Sequence, residues 1–476
     1  MSVVELRIVH LDLKGAPPKV EYFQKLFPLL SQWGCTGLLI EYEDMFPYTA
    51  PLEDLAAPYA YSREAILEIL QLAAKNGLSV IPLVQTFGHL EFMLKHERFS
   101  QMRELSRYPM ALCPSHPDSL RMVCTMIDQV MQLHPGIEHF HIGCDEVYHI
   151  GHCPACKSRM VSGSHGMHQM FFSHVASVAK HIRMMHPTVI PLIWDDMLRN
   201  IELPVLIDSG LKDLVEPMIW HYLPSFSLPT DLFERLSKVF PTIWLASAFK
   251  GATGVCRYVT DVTYHIANHL AWISSLNNIR SKFTTIKGIV LTGWQRYDHY
   301  AVLCELLPQA IPSLAMCLAV LLKGEFTPEI HMSVSHQLNF TSLLPLNPFH
   351  SNEVLVCDFP GSDVYCLMLE CLKLELQYEE FLHNDMFVAW MNEYNVKRNF
   401  INVLYIEPII GESVKILEKL VDLQANLQKA MATVFYDNTV IEWLQVVLSP
   451  KIKKMSEVAE TGQRLLAQNN TTQMMS

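Results

Sequence analysis

The stretch His139-Phe-His-Ile-Gly-Cys-Asp-Glu-Val147 is an apolar, strand-like run that ends in two adjacent carboxylates. Successive side chains of a strand point to opposite faces, so neighbouring acids can share one pocket only where the strand ends and the backbone turns. Gly143 permits such a turn. Two carboxylates held close together do not ionise equally, so one is expected to keep a proton while the other stays charged. Asp145 and Glu146 are therefore predicted as the catalytic pair, against the alternative of two solvated loop acids.

Short apolar runs alternate with helix-period stretches along more than half of the chain. The predicted strands are Leu6–His10, Gly37–Tyr42, Ser79–Val84, His139–Gly143, Val189–Trp194, Val215–Trp220, Pro241–Ala246 and Gly288–Thr292. Helices predicted between them include Val20–Trp33, Arg63–Asn76, Asp118–Leu133, Gln169–Met185 and Val262–Ile279. Strands that are each followed by a crossover helix predict the α/β class, in the form of a closed (β/α)8 TIM barrel. An open doubly wound sheet is the alternative.

The alternation of strands and helices ends near Lys323-Gly324, and prolines punctuate the segment that follows. Beyond it, residues 364–382 and 414–435 have helical periodicity without further strands. We therefore predict a catalytic barrel over residues 1–324 and a mainly α-helical C-terminal domain over residues 325–476.

The composition narrows the class of partner. Of 476 residues, 50% are hydrophobic and 18% are charged, which is typical of a well-buried globular chain. The net charge of −12 gives no attraction to phosphate backbones, so nucleic acid is not an expected partner. The most apolar stretch, residues 301–322, is interrupted by charge and proline, and no membrane association is expected. The amino terminus has no signal-peptide pattern and the 12 cysteines form no dense framework, so we expect reduced thiols and a cytoplasmic and/or nuclear location.

Aromatic residues stand where predicted strands end, and those loops carry the active residues in a barrel of this kind. Trp194, Trp220 and Trp294 all occupy such positions. An indole face packs on the C–H-rich face of a sugar ring, while nearby acids can bind its hydroxyls. The pattern favours a carbohydrate pocket, although core packing explains any one of these tryptophans equally well.

Two histidines and a Cys-x-x-Cys pair follow the acids within residues 149–156. A structural zinc site needs four tetrahedral ligands, which this segment could supply only by wrapping tightly. The candidate ligands would be His149, His152, Cys153 and Cys156. A second Cys-x-x-Cys pair with confirming spacing is absent from the sequence, so ordinary reduced thiols are favoured and neither a metal nor a cofactor is predicted.

The segment His141-Ile-Gly-Cys-Asp-Glu-Val147 resembles the His-x-Gly-Gly-Asp-Glu-Val motif of glycoside hydrolase family 20, the β-N-acetylhexosaminidases. Cys144 stands in place of the second glycine. Arg7 followed by Asp12 resembles the family's sugar-binding arginine strand, and Phe87-Gly-His89 resembles its Pro-Gly-His segment. The resemblance covers about residues 4–310 and says little about the C-terminal region.

The resemblance implies a retaining exo-β-N-acetylhexosaminidase that hydrolyses terminal N-acetylgalactosamine or N-acetylglucosamine from glycoconjugates. In that mechanism the substrate's own 2-acetamido oxygen is the nucleophile and closes an oxazolinium ring. Glu146 would protonate the glycosidic oxygen and then activate water, while Asp145 would orient the acetamido group. Arg7 would hold ring hydroxyls. The other implied substrate-binding residues are Asp12, His89, His141, Trp194, Trp220, Tyr222, Trp294, Tyr297 and Asp298.

The sequence departs from the family's pattern at two places. Phe249-Lys250 stands where the family has Trp-Tyr, so Tyr222 and Tyr297 are the candidates for the tyrosine that contacts the acetamido carbonyl. Arg296 replaces a glutamate that is expected to contact the outer hydroxyls, with Asp298 nearby. The preference between the two sugars therefore does not follow from the sequence.

Two other functions remain open from the sequence. A chitinase-like barrel is disfavoured because its Asp-x-x-Asp-x-Asp-x-Glu pattern is absent at the fourth strand. A catalytically silent carbohydrate-binding or scaffold protein would use the same barrel, but the intact Asp145–Glu146 pair argues against it. The expected ligand is a small glycoside or glycan. The apolar faces of the last helices would suit a homodimer, although core burial explains them equally well.

Overall fold

Eight parallel strands close into a barrel in the computed structural model, which describes residues 4–160, 166–229, 231–348 and 355–474. A short antiparallel pair, β4 and β5, lies outside the barrel. The strands are β1 Leu6–Asp12, β2 Gly37–Glu41, β3 Ser79–Leu83, β4 Arg103–Leu105, β5 Tyr108–Leu112, β6 His139–His141, β7 Ile190–Trp194, β8 Glu216–Trp220, β9 Thr242–Lys250 and β10 Thr285–Gly293. All eight predicted strands are present, and the predicted α/β barrel is confirmed.

The order around the barrel is β1, β10, β9, β8, β7, β6, β3, β2, so the last strand closes on the first. Closure is set by parallel pairing such as Ile8 beside Val290 on one side and His10 beside Leu39 on the other. Alternate residues of these strands point inward and fill the barrel. This core is formed by Ile8, Leu39, Ile81, Leu83, Leu192, Trp194, Met218, Trp244, Ala246 and Val290.

The helices that follow the strands agree closely with the predicted ones. All five predicted barrel helices are observed, within three residues at either end. The helices are α1 Val20–Gln32, α2 Arg63–Lys75, α3 Glu91–Leu94, α4 Ser119–Leu133, α5 Pro154–Met160, α6 Gly166–Met185, α7 Leu203–Ile207, α8 Leu232–Val239, α9 Val262–Ile279, α10 Leu307–Lys323, α11 Pro328–Gln337, α12 Ser362–His383, α13 Asp385–Trp390, α14 Glu393–Lys397, α15 Val403–Met431, α16 Asp437–Val447 and α17 Ser449–Met474.

Contacts divide the chain into two compact units, residues 1–347 with 356–360 and residues 348–355 with 361–476. The first unit therefore includes α11, which lies beyond the predicted boundary at residue 324. That boundary, as a limit between independently folding domains, stays a prediction. The second unit is helical, as expected, and α15 packs against both α12 and α17. Among the described residues, no helix is long and apolar enough to cross a membrane.

Candidate active site

A pocket of about 300 Å³ opens at the carboxyl-terminal ends of the barrel strands. This end of a (β/α)8 barrel is the one that carries active sites. Nine of the twelve predicted site residues line it: His89, Asp145, Glu146, Trp194, Trp220, Tyr222, Trp294, Tyr297 and Asp298. The barrel thus brings together residues from five separate strand ends, as the sequence predicts.

The two acids reach the pocket through a sharp turn directly after β6. Gly143 has φ +66°, a conformation that favours glycine, and a Cβ at this position would lie 1.9 Å from Gln85 Oε1 and would displace that side chain. Cys144 follows with φ +69° and Glu146 has φ +48°. Left-handed backbone at position 144 explains why glycine suits the motif there.

Cys144 stands where the motif has glycine, and its side chain is fully buried against the turn. Its sulfur lies 3.2 Å from Thr86 Oγ1 and 3.4 Å from the Ile142 carbonyl. The sulfur therefore makes hydrogen-bond contacts with Ile142 directly after β6 and with Thr86 in the loop after β3. These contacts offset part of the backbone strain that a non-glycine residue carries in this conformation.

His89 joins the two acids. Its Nε2 lies 3.1 Å from Glu146 Oε2 and 3.6 Å from Asp145 Oδ2. Burial opposes a charged imidazole, but the carboxylates of Asp145, Glu146 and Glu91 together outweigh burial and raise the pKa of His89 to about 10. The backbone approaches closely here, since a Cβ on Gly88 would lie 2.2 Å from the Asp145 carbonyl oxygen.

The same contacts separate the pKa values of the acids. Burial raises the pKa of Asp145 to about 6, while the hydrogen bond from His89 lowers the pKa of Glu146 below its usual range. The expected inequality of the pair is present, and in the free protein Asp145 is the acid that holds a proton more strongly. A proton on Glu146 therefore requires that a bound ligand change this balance.

Asp196, in the loop after β7, fixes the position of Glu146 and of one aromatic wall. Asp196 Oδ2 accepts a hydrogen bond from the Glu146 backbone N–H at 2.8 Å, and Oδ1 accepts one from Trp220 Nε1 at 3.3 Å. Burial raises the pKa of Asp196 to about 7. The sequence places this residue at a strand end, but it was not among the predicted site residues because its partners become adjacent only in the barrel.

Aromatic rings form the walls of the pocket. Trp220 and Tyr222 are stacked with centroids 5.0 Å apart, and Trp294 lies 6.0 Å from Trp194 and 6.4 Å from Tyr222. Tyr222 is partly buried among these rings, whereas Tyr297 is 51% exposed at the rim. The aromatic wall is therefore positioned to pack on a sugar ring and on a small apolar substituent.

A buried network of charges forms the polar side of the pocket. Lys14 Nζ lies 2.8 Å from Asp12 Oδ2, 3.7 Å from Glu41 and 3.8 Å from Glu43, and His299 Nε2 lies 2.6 Å from Glu43. Burial disfavours the Lys14 ammonium, but the three carboxylates together raise its pKa well above the usual value. Lys14, Glu41, Glu43 and His299 line the pocket and were not predicted. Their only sequence signal is their position at the end of a strand or in the loop that follows it.

Arg7 requires a correction, because the structure does not bring it to the pocket. It lies near the start of β1, where Nε donates to the Gly34 carbonyl at 2.7 Å and Nη1 donates to the Val4 carbonyl at 2.7 Å. Arg7 and Asp12 are five residues apart, so alternation along the strand points them to opposite faces. Arg7 faces out of the barrel while Ile8 faces in.

Asp12 and His141 lie beneath the pocket and do not line it. Asp12 Oδ2 accepts hydrogen bonds from Lys14 Nζ and from the Gln295 backbone N–H at 2.7 Å. The His141 ring lies 4.4 Å from the Trp194 ring, and its Nδ1 accepts a hydrogen bond from the Gly143 N–H. Burial lowers the pKa of His141 to about 3, which makes it a neutral support under the aromatic wall.

The Cys-x-x-Cys pair also has partners other than those considered from the sequence. Cys153 and Cys156 lie beside Cys113 and Glu104, and these four form a cluster of potential metal ligands. His149 and His152 are not part of it; the His149 ring stacks on Tyr108 at 4.8 Å.

A (β/α)8 barrel with a carboxylate pair and aromatic walls at its carboxyl-terminal rim has the construction of a glycoside hydrolase. The comparisons with known proteins agree. Residues 25–223 match the model of the catalytic domain of glycosyl hydrolase family 20. Hexosaminidase D of Homo sapiens is 41% identical over 461 residues, which is 96% of this chain and 94% of the human protein. Hexosaminidase D of Bos taurus is 49% identical over 341 residues, 71% of this chain and 98% of the bovine protein.

The protein therefore belongs to glycoside hydrolase family 20. Its fold is similar to the crystal structure of a β-N-acetylhexosaminidase from Bacteroides fragilis, with a TM-score of 0.52 at 16% identity over 71% of this chain and 70% of that one. At this identity the likeness shows the fold alone.

Proposed function

We propose that this family 20 enzyme is a retaining exo-β-N-acetylhexosaminidase that releases terminal N-acetylgalactosamine or N-acetylglucosamine by substrate-assisted catalysis. The observation that carries the proposal is the contact of Asp145 and Glu146 with the same His89 nitrogen, at 3.6 and 3.1 Å. Both acids thus lie on one side of the pocket. That arrangement suits a reaction in which the substrate supplies its own nucleophile and the enzyme need not attack the opposite face of the sugar.

In the first step Glu146 donates its proton to the glycosidic oxygen, and the bond from that oxygen to C1 breaks. The 2-acetamido carbonyl oxygen bonds to C1 and forms the oxazolinium ring, while Asp145 accepts a hydrogen bond from the acetamido N–H and stabilises the positive charge. In the second step water attacks C1 and gives its proton to Glu146. The ring opens, the configuration at C1 is retained, and Glu146 is protonated again.

Substrate binding would also shift the proton of the pair from Asp145 to Glu146. In the free protein the pKa of Asp145 is raised and that of Glu146 is lowered. The acetamido N–H can donate to Asp145 only when that carboxyl is ionised, and the glycosidic oxygen can accept only from a protonated Glu146. The bound sugar therefore favours the state in which the single proton of the pair lies on Glu146.

The size and walls of the pocket support release of a single terminal sugar. A volume of about 300 Å³ is at the lower end of ligand pockets, which fits one sugar ring better than a chain. Tyr222 lies between Trp220 and Trp294 and lines the pocket from within, so we assign it the contact with the acetamido carbonyl. Lys14, Glu43 and Arg296 line the same pocket, and we assign them the binding of ring hydroxyls, the role that Arg7 does not fill.

Hydrolysis of nitrophenyl N-acetyl-β-galactosaminide and N-acetyl-β-glucosaminide tests the function. We expect turnover by the wild type and a loss of roughly 10²–10⁴-fold in kcat for Glu146→Gln. Equal inactivity of both proteins, with sugar binding retained, would instead favour a carbohydrate-binding module. Replacing the 2-acetamido group of the substrate by hydroxyl should abolish turnover, and retained activity would rule out substrate assistance.

We further propose a cytoplasmic or nuclear location, because the 12 cysteines are scattered along the chain and do not form the dense framework of a small disulfide-stabilised secreted domain. Fractionation of cells that express the full chain tests it, and recovery in the secretory compartments would contradict it. A homodimer remains a proposal that sedimentation analysis can test.

A further inference from the structure

Four side chains that can bind metal meet outside the pocket, next to the loop that carries Glu146. Glu104 belongs to β4, Cys113 directly follows β5, and Cys153 and Cys156 lie at the start of α5. Their ligand atoms all lie within 4.8 Å of one another. Cys113 Sγ is 3.4 Å from Cys153 Sγ and 3.6 Å from Cys156 Sγ, and Glu104 Oε2 lies 3.2 Å from Cys156 Sγ.

The spacing is close to that of a tetrahedral zinc site. Zinc–sulfur bonds of about 2.3 Å place two sulfurs of a tetrahedron about 3.8 Å apart, so Cys113 Sγ lies within a few tenths of an ångström of the required distance from Cys153 Sγ and from Cys156 Sγ. The Cys156 backbone N–H already donates to Cys153 Sγ at 3.2 Å, and such bonds favour the thiolate that a metal requires.

Glu104 gives independent support for a cation. Its side chain is 2% exposed, and Oε1 accepts hydrogen bonds from the backbone N–H groups of His152 at 2.6 Å and Cys153 at 2.9 Å. Among the described residues its polar contacts are these N–H groups and the thiols of Cys113 and Cys156, and none is a lysine or arginine. A buried carboxylate without a basic partner is costly unless another positive charge compensates it.

We propose that Glu104, Cys113, Cys153 and Cys156 bind one structural zinc ion. Each thiol loses its proton on binding, so three thiolates and one carboxylate surround the ion. Thiolate sulfur selects zinc over magnesium or calcium, and four protein ligands leave no position for substrate. The ion therefore stabilises the fold and takes no part in the reaction.

The zinc site would connect two segments that extend from the barrel. The β4–β5 pair and the residue after it supply Glu104 and Cys113, while the end of the loop after β6 and the start of α5 supply Cys153 and Cys156, seven and ten residues beyond Glu146. Zinc would thus hold the far end of the catalytic loop. The consequence for Glu146 rests on the proposed function, whereas zinc binding by the four ligands does not.

The test is metal analysis of the full chain, expressed with zinc in the medium and purified under reducing conditions without a histidine tag. We expect one zinc per chain by mass spectrometry of the metal content, and thiolate-to-cobalt absorption bands after replacement with cobalt. Cys153→Ser should weaken zinc binding by at least roughly tenfold. Cys256→Ser, at an exposed cysteine outside the cluster, is the matched control and should keep the zinc.

Glu104→Gln tests the carboxylate with little change of shape. It should lower zinc affinity, and wild-type affinity would overturn the assignment of Glu104 as a ligand. The proposal would be overturned by a wild-type chain that circular dichroism shows to be folded but that contains no zinc. This holds whether its three cysteines react freely with a thiol reagent or two of them form a disulfide. If a variant loses zinc and its sugar hydrolysis is unchanged, the proposal of a zinc site stands. Only the proposed effect of zinc on Glu146 is then ruled out.

Discussion

Replacement of His89 by glutamine is expected to move the alkaline limb of kcat/KM to higher pH. The pair of acids loses its last proton at the higher of the two pKa values, that of Asp145, which is about 6. Above that pH the rate of the wild type should fall, because Glu146 then has no proton to donate. The positive charge of His89 lowers the pKa of both carboxyls, so its removal must raise the pH at which the proton is lost.

The magnitude follows from the distances of His89 Nε2, 3.1 Å to Glu146 and 3.6 Å to Asp145. Coulomb's law with an effective dielectric constant of about 20 gives an upper bound of roughly 4–5 kcal/mol at the longer distance. A hydrogen bond to a charged group contributes roughly 1.5–3 kcal/mol, and roughly 1.4 kcal/mol corresponds to one pH unit. We therefore expect the alkaline limb of kcat/KM to move to higher pH by roughly one to two units in His89→Gln.

The assay is nitrophenyl N-acetyl-β-galactosaminide hydrolysis at substrate concentrations below KM, quenched in alkali, across acid to alkaline pH. His181→Gln is the control, because His181 also contacts a carboxylate, Asp128 at 2.7 Å, but lies on the surface. It should keep the wild-type profile. An alkaline limb that stays in place or moves to lower pH in His89→Gln would refute the assigned effect of the His89 charge.

Substitutions at four further positions test the structure. Asp196→Asn replaces an oxygen that accepts a hydrogen bond by an N–H donor, so kcat should fall by roughly 10–100-fold in the same assay while thermal stability changes little. Trp244→Ala, at a fully buried core residue, should lower the free energy of unfolding by roughly 3–5 kcal/mol in urea titrations and leave KM unchanged. Cys144→Gly should alter stability by less than about 1 kcal/mol and keep activity, whereas Cys144→Val, β-branched at positive φ, should destabilise the fold. Arg7→Met should lower stability by roughly 1–3 kcal/mol without changing KM, and a large rise in KM would contradict its placement outside the pocket.

The barrel was predictable because its signals are local. Each strand is a short apolar run, each helix has its own periodicity, and right-handed crossovers then allow few arrangements. The carboxyl-terminal rim follows from chain direction alone, so residues such as Glu146 and Trp220 could be placed at the pocket from their position after a strand. The β4–β5 pair was missed because β4 carries two charged residues and β5 contains Pro109, so neither strand is an uninterrupted apolar run.

Side-chain direction was less predictable. Arg7 matched a sugar-binding motif, yet alternation along β1 points it outward, and a shift of one residue reverses this outcome. The contacts of Asp196 and Lys14 are with residues that follow other strands. Asp196 contacts Glu146, and Lys14 contacts Glu43. Their pKa values likewise depend on burial, which is a property of the assembled barrel.

The sequence by itself determined the order of strands and helices, the rim that carries the pocket, and the placement of Asp145 and Glu146 in a turn, because all of these depend on residues near one another in the chain. Only the tertiary structure decided which acid holds the proton more strongly and that Cys113 and Glu104 lie beside the Cys153–Cys156 pair. Those outcomes depend on distances of 3–4 Å between residues that are far apart in sequence, and desolvation acts only once the barrel has closed around them.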